Sequence, residues 1–206
     1  SSHSLAASVL AGEDTAMERD YDFSTSVHRG DLRSAEEIGR CAGERAVRRL
    51  GSRKMKTAQV PIVYDPRVSG GLVRHLAGAI NGVAIARETS FLKDSLDQRV
   101  FAQGIAIVDD PHRLRGLSSK PFDAEGIANA RRTLIEDGVL KSWILDLASS
   151  RKLGIETTGN AARGTASPPS PGSTNLYMEP GDTSPTELMA DIDSGFYVTE
   201  LIGMGI

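Results

Sequence analysis

The stretch Ser69-Gly70-Gly71-Leu72-Val73-Arg74-His75-Leu76-Ala77-Gly78-Ala79-Ile80-Asn81-Gly82-Val83-Ala84-Ile85-Ala86-Arg87 decides how the rest of the chain is read. Leu72, Leu76, Ile80 and Val83 recur at helical spacing, with Val73, Ala77 and Ala84 one step round, which predicts a helix behind a Ser-Gly-Gly start. Hardly any position offers a wet face. Gly78 and Gly82 each cost about 1 kcal/mol against Ala inside a helix, a loss tolerated where another backbone comes close. The expectation is a central, buried helix rich in Gly and Ala.

Around that helix, composition describes an ordinary globular protein. The 206 residues are 39% hydrophobic and 25% charged with a net charge of -3, enough for one or two domains with real cores. No apolar run reaches the length of a membrane span and nothing resembles a cleavable signal, so a cytoplasmic protein is expected. The single Cys41 excludes an intramolecular disulfide and a multi-cysteine zinc site, and reads as a small core residue. No Walker or dinucleotide glycine motif and no internal repeat is found.

Upstream of the helix, Ser4 to Leu10 and Met17 to Thr25 flank the turn-forming Gly12-Glu13-Asp14-Thr15, which predicts a hairpin. Met17, Arg19, Tyr21 and Phe23 alternate with Glu18, Asp20 and Asp22, so the carboxylates are expected to face water. Ser34 and Glu37 form a capping-box pair ahead of a helix whose buried stripe is Ile38, Cys41, Ala42, Ala46, Val47 and Leu50, ended by Gly51. Arg29 to Lys56 carries nine Lys/Arg against four Asp/Glu. That bias raises nucleic-acid binding, but the cations are spread round the helix without interleaved aromatics and read as a solvated face. Gln59 to Tyr64 is a strand that lies at an edge or begins late because of Pro61. A domain boundary is placed at Ser52 to Thr57, dividing 1–54 from 55–206.

Downstream, Thr89 to Phe101 reads as a short amphipathic segment and Gly104 to Val108 as a buried strand. Asp109, Asp110, Asp123 and Glu125 form the richest acidic group in a loop setting. Capping of backbone amides and ion pairing to Arg113 or Arg115 is the favoured reading, ahead of a cation site. Asp137-Gly138 between two apolar runs is the strongest hairpin signal, and Trp143 reads as a core or subunit-face anchor. Ser149 and Lys152 match a Ser-x-x-Lys pattern without its companion motifs. From Thr157 to Asn175 the chain turns to Gly, Ser, Thr and Pro, an extended loop of the kind often used for function. Leu176 to Glu179 is a strand, Ser184-Pro185-Thr186-Glu187 opens a final helix with a capping box, and Gly195 to Gly203 is a last strand.

The words Met17-Glu18-Arg19-Asp20-Tyr21-Asp22, Arg87-Glu88-Thr89-Ser90-Phe91-Leu92-Lys93, Val108-Asp109-Asp110-Pro111, Pro121-Phe122-Asp123-Ala124-Glu125-Gly126, Glu136-Asp137-Gly138-Val139-Leu140 and Leu153-Gly154 with Thr158-Gly159-Asn160-Ala161, in this order and spacing, resemble the TldD/PmbA family of metallopeptidase subunits, closest to its PmbA (TldE) branch. The resemblance implies a fragment of a longer fold, lacking an N-terminal region and the end of the last domain: 1–54 would close the middle region and 55–206 would open the C-terminal domain. The fold class expected is α+β, with antiparallel, hairpin-rich sheets and packed helices. In the TldD branch the organising helix carries His-Glu-x-x-x-His, giving zinc ligands and a general base. Aligned on Gly78, those positions hold Arg74, His75 and Ala79, so no metal ligand set and no catalytic residue is assigned to this chain. The resemblance further implies a zinc-bearing TldD-like partner, an unfolded peptide substrate, and Asn160 and Asn175 near the peptide cleft. A homodimer is also compatible. Two other functions stay open: a self-sufficient metallopeptidase drawing on residues outside this stretch, and a DNA- or gyrase-associated regulator.

Overall fold

A computed structural model describes residues 2–201, and Cα packing divides the chain into two compact units, Ser1–Ala58 with Leu114–Leu117, and Gln59–Arg113 with Ser118–Ile206. In the first unit, β1 (His3–Ala11) and β2 (Glu18–Ser26) form the expected antiparallel hairpin, in register from His3 opposite Ser26 to Ala11 opposite Glu18. Helix α1 spans Ala35–Arg48. Ser34 Oγ accepts the Glu37 amide at 3.1 Å, while the Glu37 carboxylate turns to Arg33 instead of closing the capping box. Ile38, Ala42 and Ala46 are buried, whereas Val47 and Leu50 at the end of the expected stripe are exposed.

The strand period was legible; the face was not. Asp20 and Asp22 are only 4% and 3% exposed, while Tyr21 and Phe23 are 40% and 44% exposed and stack on the outer side. The carboxylates expected in water are sandwiched against α1. Arg33 and Arg45 pair with Asp22 at 2.5 and 2.8 Å, and Arg49 approaches Asp20 at 3.6 Å. Burial pushes the Asp22 carboxyl up, but hydrogen bonds from Arg33 and Arg45 outweigh it and hold the group below its ordinary value. Several cations read as a solvated face are thus partners of buried acids.

In the second unit, β3 (Ile62–Tyr64) starts just after Pro61, the late start that was one of the two expectations, and leads into α2 (Pro66–Ala79) and α3 (Gly82–Ala86). Next come β4 (Ile107–Asp109), β5 (Arg132–Glu136), β6 (Val139–Leu140), α4 (Leu147–Leu153), β7 (Ala161–Ala162), β8 (Ser170–Pro171), β9 (Leu176–Met178), α5 (Pro185–Ala190) and β10 (Phe196–Val198). The main sheet runs β6-β5-β4-β9, every neighbour antiparallel. β7 and β8 make a second small antiparallel pair, and β3 pairs with β10 in parallel. The α+β class with antiparallel sheets is the one expected. The last strand is shorter than the 195–203 predicted, and 202–206 lie outside the described residues.

Asp137 and Gly138 both take positive φ, 46° and 80°, in the tight turn joining β5 to β6. A side chain at Gly138 would also meet the carbonyl oxygens of Phe101 and Ala102 at 2.5 Å. Thr89 to Phe101, read as a short amphipathic segment, folds as successive turns. Trp143 sits in the core with Leu76, Ile80, Ile85, Leu134 and Ile144.

The organising stretch differs from its reading in two respects. It is a pair of helices broken at Ile80 and Asn81, and of α2 only Leu76 is fully buried, with Leu72, Arg74, His75 and Gly78 exposed. Gly78 meets no close neighbour, whereas a Cβ on Gly82 would lie 2.5 Å from Ser149 Oγ and 2.7 Å from Leu145 Cδ2. A close approach is made at Gly82 alone, and by the Ser149 and Leu145 side chains instead of the backbone expected at both glycines.

Candidate functional site

Two features meet at the break between α2 and α3: the helix carrying Arg74, His75 and Ala79, and the roots of the loop 157–175. Asp65 Oδ1 caps the start of α2 by accepting the Arg67 amide at 2.9 Å, and Pro66 fits the first helical position, where no amide is needed. His75 and Ala79, four residues apart, face the same way. They line a hollow of about 420 Å³ with Leu72, Leu76, Phe91 and Phe101. Arg74 is exposed and is not among the lining residues. At about 100° per residue it sits well round the helix from Ala79. The facing turn is braced by Ser90, whose Oγ donates to the Ala79 carbonyl at 2.5 Å and accepts the Leu92 amide at 3.0 Å. That brace holds Phe91 outward, 85% exposed.

The break itself is built by Asn81. Its Oδ1 caps α3 through the Val83 amide at 3.0 Å, and its Nδ2 donates to the Pro171 carbonyl at 2.9 Å. Ile80 and Gly82 bracket it with backbone bonds to Ile144. Asn81 thereby ties the helix pair to the Pro-rich loop. Sequence reading passed over it, although Asn-Gly inside a helical run is a turn signal and Asn a preferred N-cap.

The acidic group fixes the loop's two roots. Asp109, 2% exposed, accepts the Thr174 amide at 2.6 Å, the Thr174 hydroxyl at 2.8 Å and Asn160 Nδ2 at 2.7 Å. Asp123, 3% exposed, accepts the amides of Glu125, Ile127 and Ala161 at 2.9, 2.9 and 3.0 Å. Glu125 Oε2 accepts the first amide of α4 from Leu147, and Asp110 Oδ1 accepts the His112 amide. Amide capping is therefore as expected, but the ion pairs to Arg113 and Arg115 are not formed. Arg113 lies over the Tyr177 ring at 4.7 Å, and Arg115 pairs with Asp31 within the first unit.

Asn160 and Asn175 both sit at the loop roots, in separate networks joined through the neighbouring Asp109 and Asp110. Asn160 is 5% exposed and its amide group is engaged by Asp109. Asn175 Nδ2 donates to the Asp110 carbonyl and Ser119 Oγ, and its Oδ1 accepts the Ser118 amide. Ser149 Oγ is held by the Asp146 carboxylate at 2.6 Å in a capping box, and Lys152 is exposed, so Ser-x-x-Lys here is a helix start and a surface cation. No helix among the described residues is long and apolar enough to cross a membrane.

Comparison with known proteins shows the family. Residues 57–206 match the PmbA/TldA metallopeptidase C-terminal domain. The Escherichia coli O157:H7 protein named Metalloprotease PmbA is 37% identical over 204 residues, covering 99% of this chain and 43% of that protein. The crystal structure of a Bacteroides thetaiotaomicron protein described as a modulator of DNA gyrase superposes with a TM-score of 0.86 at 31% identity, covering 98% of this chain and 44% of that one. That of TldE from Thermococcus kodakarensis gives a TM-score of 0.82 at 24% identity over 98% of this chain and 46% of that one, a likeness of fold. The chain spans less than half the length of these relatives. With the matched domain and near-complete coverage by a metalloprotease relative, the chain belongs to the PmbA/TldD metallopeptidase family.

Proposed function

We propose that this chain is part of a PmbA/TldE-like subunit of a two-subunit zinc metallopeptidase acting on unfolded peptides, and that this subunit does not hydrolyse them alone. A catalytic zinc asks for three protein ligands, an open position and a nearby carboxylate to take a proton from the bound water. The observation that carries the reading is the set of side chains at the motif positions, Arg74, His75 and Ala79. A guanidinium repels a cation, a methyl group has no lone pair, and His75 shares its hollow with leucine and phenylalanine side chains. These residues do not fit a zinc ion. Among the described residues no group of three or more His, Cys, Asp or Glu is placed to hold one.

Zinc, its ligands and the general base then belong to a TldD-like partner in the cytoplasm. In this reading the loop 157–175 walls the peptide cleft, and Asn160 and Asn175 act as positioning residues that hold its roots. Residues 1–54 close the family's middle region and 55–206 open its C-terminal domain. The test uses the full-length protein containing this sequence, purified with and without a TldD-like chain, with zinc content and hydrolysis of an unfolded peptide as readouts. Stoichiometric zinc only when the partner is present, and a pair more active than the partner alone, are the expected results. Zinc and activity in the isolated protein would overturn the reading in favour of a self-sufficient peptidase, which the name of the E. coli relative favours. The name of the Bacteroides relative motivates a gyrase- or DNA-linked role, but Arg33, Arg45 and Arg49 are engaged with Asp22 and Asp20. Salt-dependent binding to duplex DNA would be needed to restore that role.

A further inference from the structure

We draw no further inference here: the strongest candidate, the apolar hollow between α2 and the braced turn that holds Phe91 outward, is an unpartnered face, and nothing in the structure shows what covers it.

Discussion

Asn81 Nδ2 donates to the carbonyl oxygen of Pro171 at 2.9 Å while its Oδ1 caps α3, so one side chain both starts a helix and fastens a loop. Asn81→Ala removes both bonds. A loss of about 1–2 kcal/mol is expected. Chemical denaturation should give a lower midpoint with an unchanged slope, and hydrogen exchange should quicken at the amides around β7 and β8. Unchanged exchange there would mean that the loop is held by other contacts.

Asp109 tests the hold on both loop roots, through Asn160 and Thr174. Its carboxylate satisfies Thr174 and Asn160 in a site that water does not reach. Asp109→Ala strands buried donors and should cost about 3 kcal/mol or more, since each unsatisfied buried group carries a penalty of about 1–3 kcal/mol. Asp109→Asn should also destabilise, because its single amide oxygen can serve Thr174 or Asn160 but not both, and its NH2 then faces the donor left over. Thermal unfolding of both variants reads this out, and a neutral Asp109→Ala would sink the assigned role.

Two glycines in the organising stretch separate packing from propensity. A methyl group at Gly78 meets open space, so Gly78→Ala should gain up to about 1 kcal/mol of helix stability. At Gly82 the same methyl collides with Ser149 and Leu145, and Gly82→Ala should cost about 1–3 kcal/mol. Opposite shifts of the denaturation midpoint are the expected outcome. Two shifts of the same sign would contradict the contact geometry.

The first unit should be sensitive to acid. Arg33 and Arg45 hold the Asp22 carboxyl below its ordinary value of 3.8. A carboxyl with a depressed folded-state pKa stabilises fully above its unfolded value, and that contribution is lost as pH falls through the folded value. Protection of the α1 and β2 amides should therefore decline below about pH 4 as the carboxyl takes up its proton. Asp22→Asn should lower stability at neutral pH and flatten this part of the pH profile. An unchanged profile would show that other carboxyls control the transition.

The same pair explains where sequence reading stopped. Alternation along Met17 to Phe23 established a strand, because period two is a local property of the chain. Which face turns inward depends on what packs against it, and the arginines that receive Asp20 and Asp22 are Arg33, Arg45 in α1 and Arg49 just past its end, many residues away. Apolar side chains normally win the inner face, and here paired charges hold it. The signals of Asp137-Gly138, Ser184-Pro185 and Pro61 were readable for the converse reason, since φ, amide and cap requirements are satisfied within a few residues. The candidate site was half legible. The family resemblance drew attention to Arg74, His75 and Ala79, but the Asn81 to Pro171 link and the Asp109 to Thr174 bonds join distant positions and leave no local trace.

Between α1 and β3 the residues 52–61 take no regular structure and are almost all exposed. Arg53, Lys54 and Lys56 lie in this stretch, which a protease can bind extended without first unfolding either unit. Brief trypsin treatment should cut at these three residues before the arginines of α1, whose backbone is hydrogen-bonded in the helix. Mass spectrometry of the early products would then give fragments ending at 53, 54 or 56. First cuts inside α1, at Arg40 or Arg45, would instead show that the hairpin and helix of the first unit open more readily than the segment that follows them.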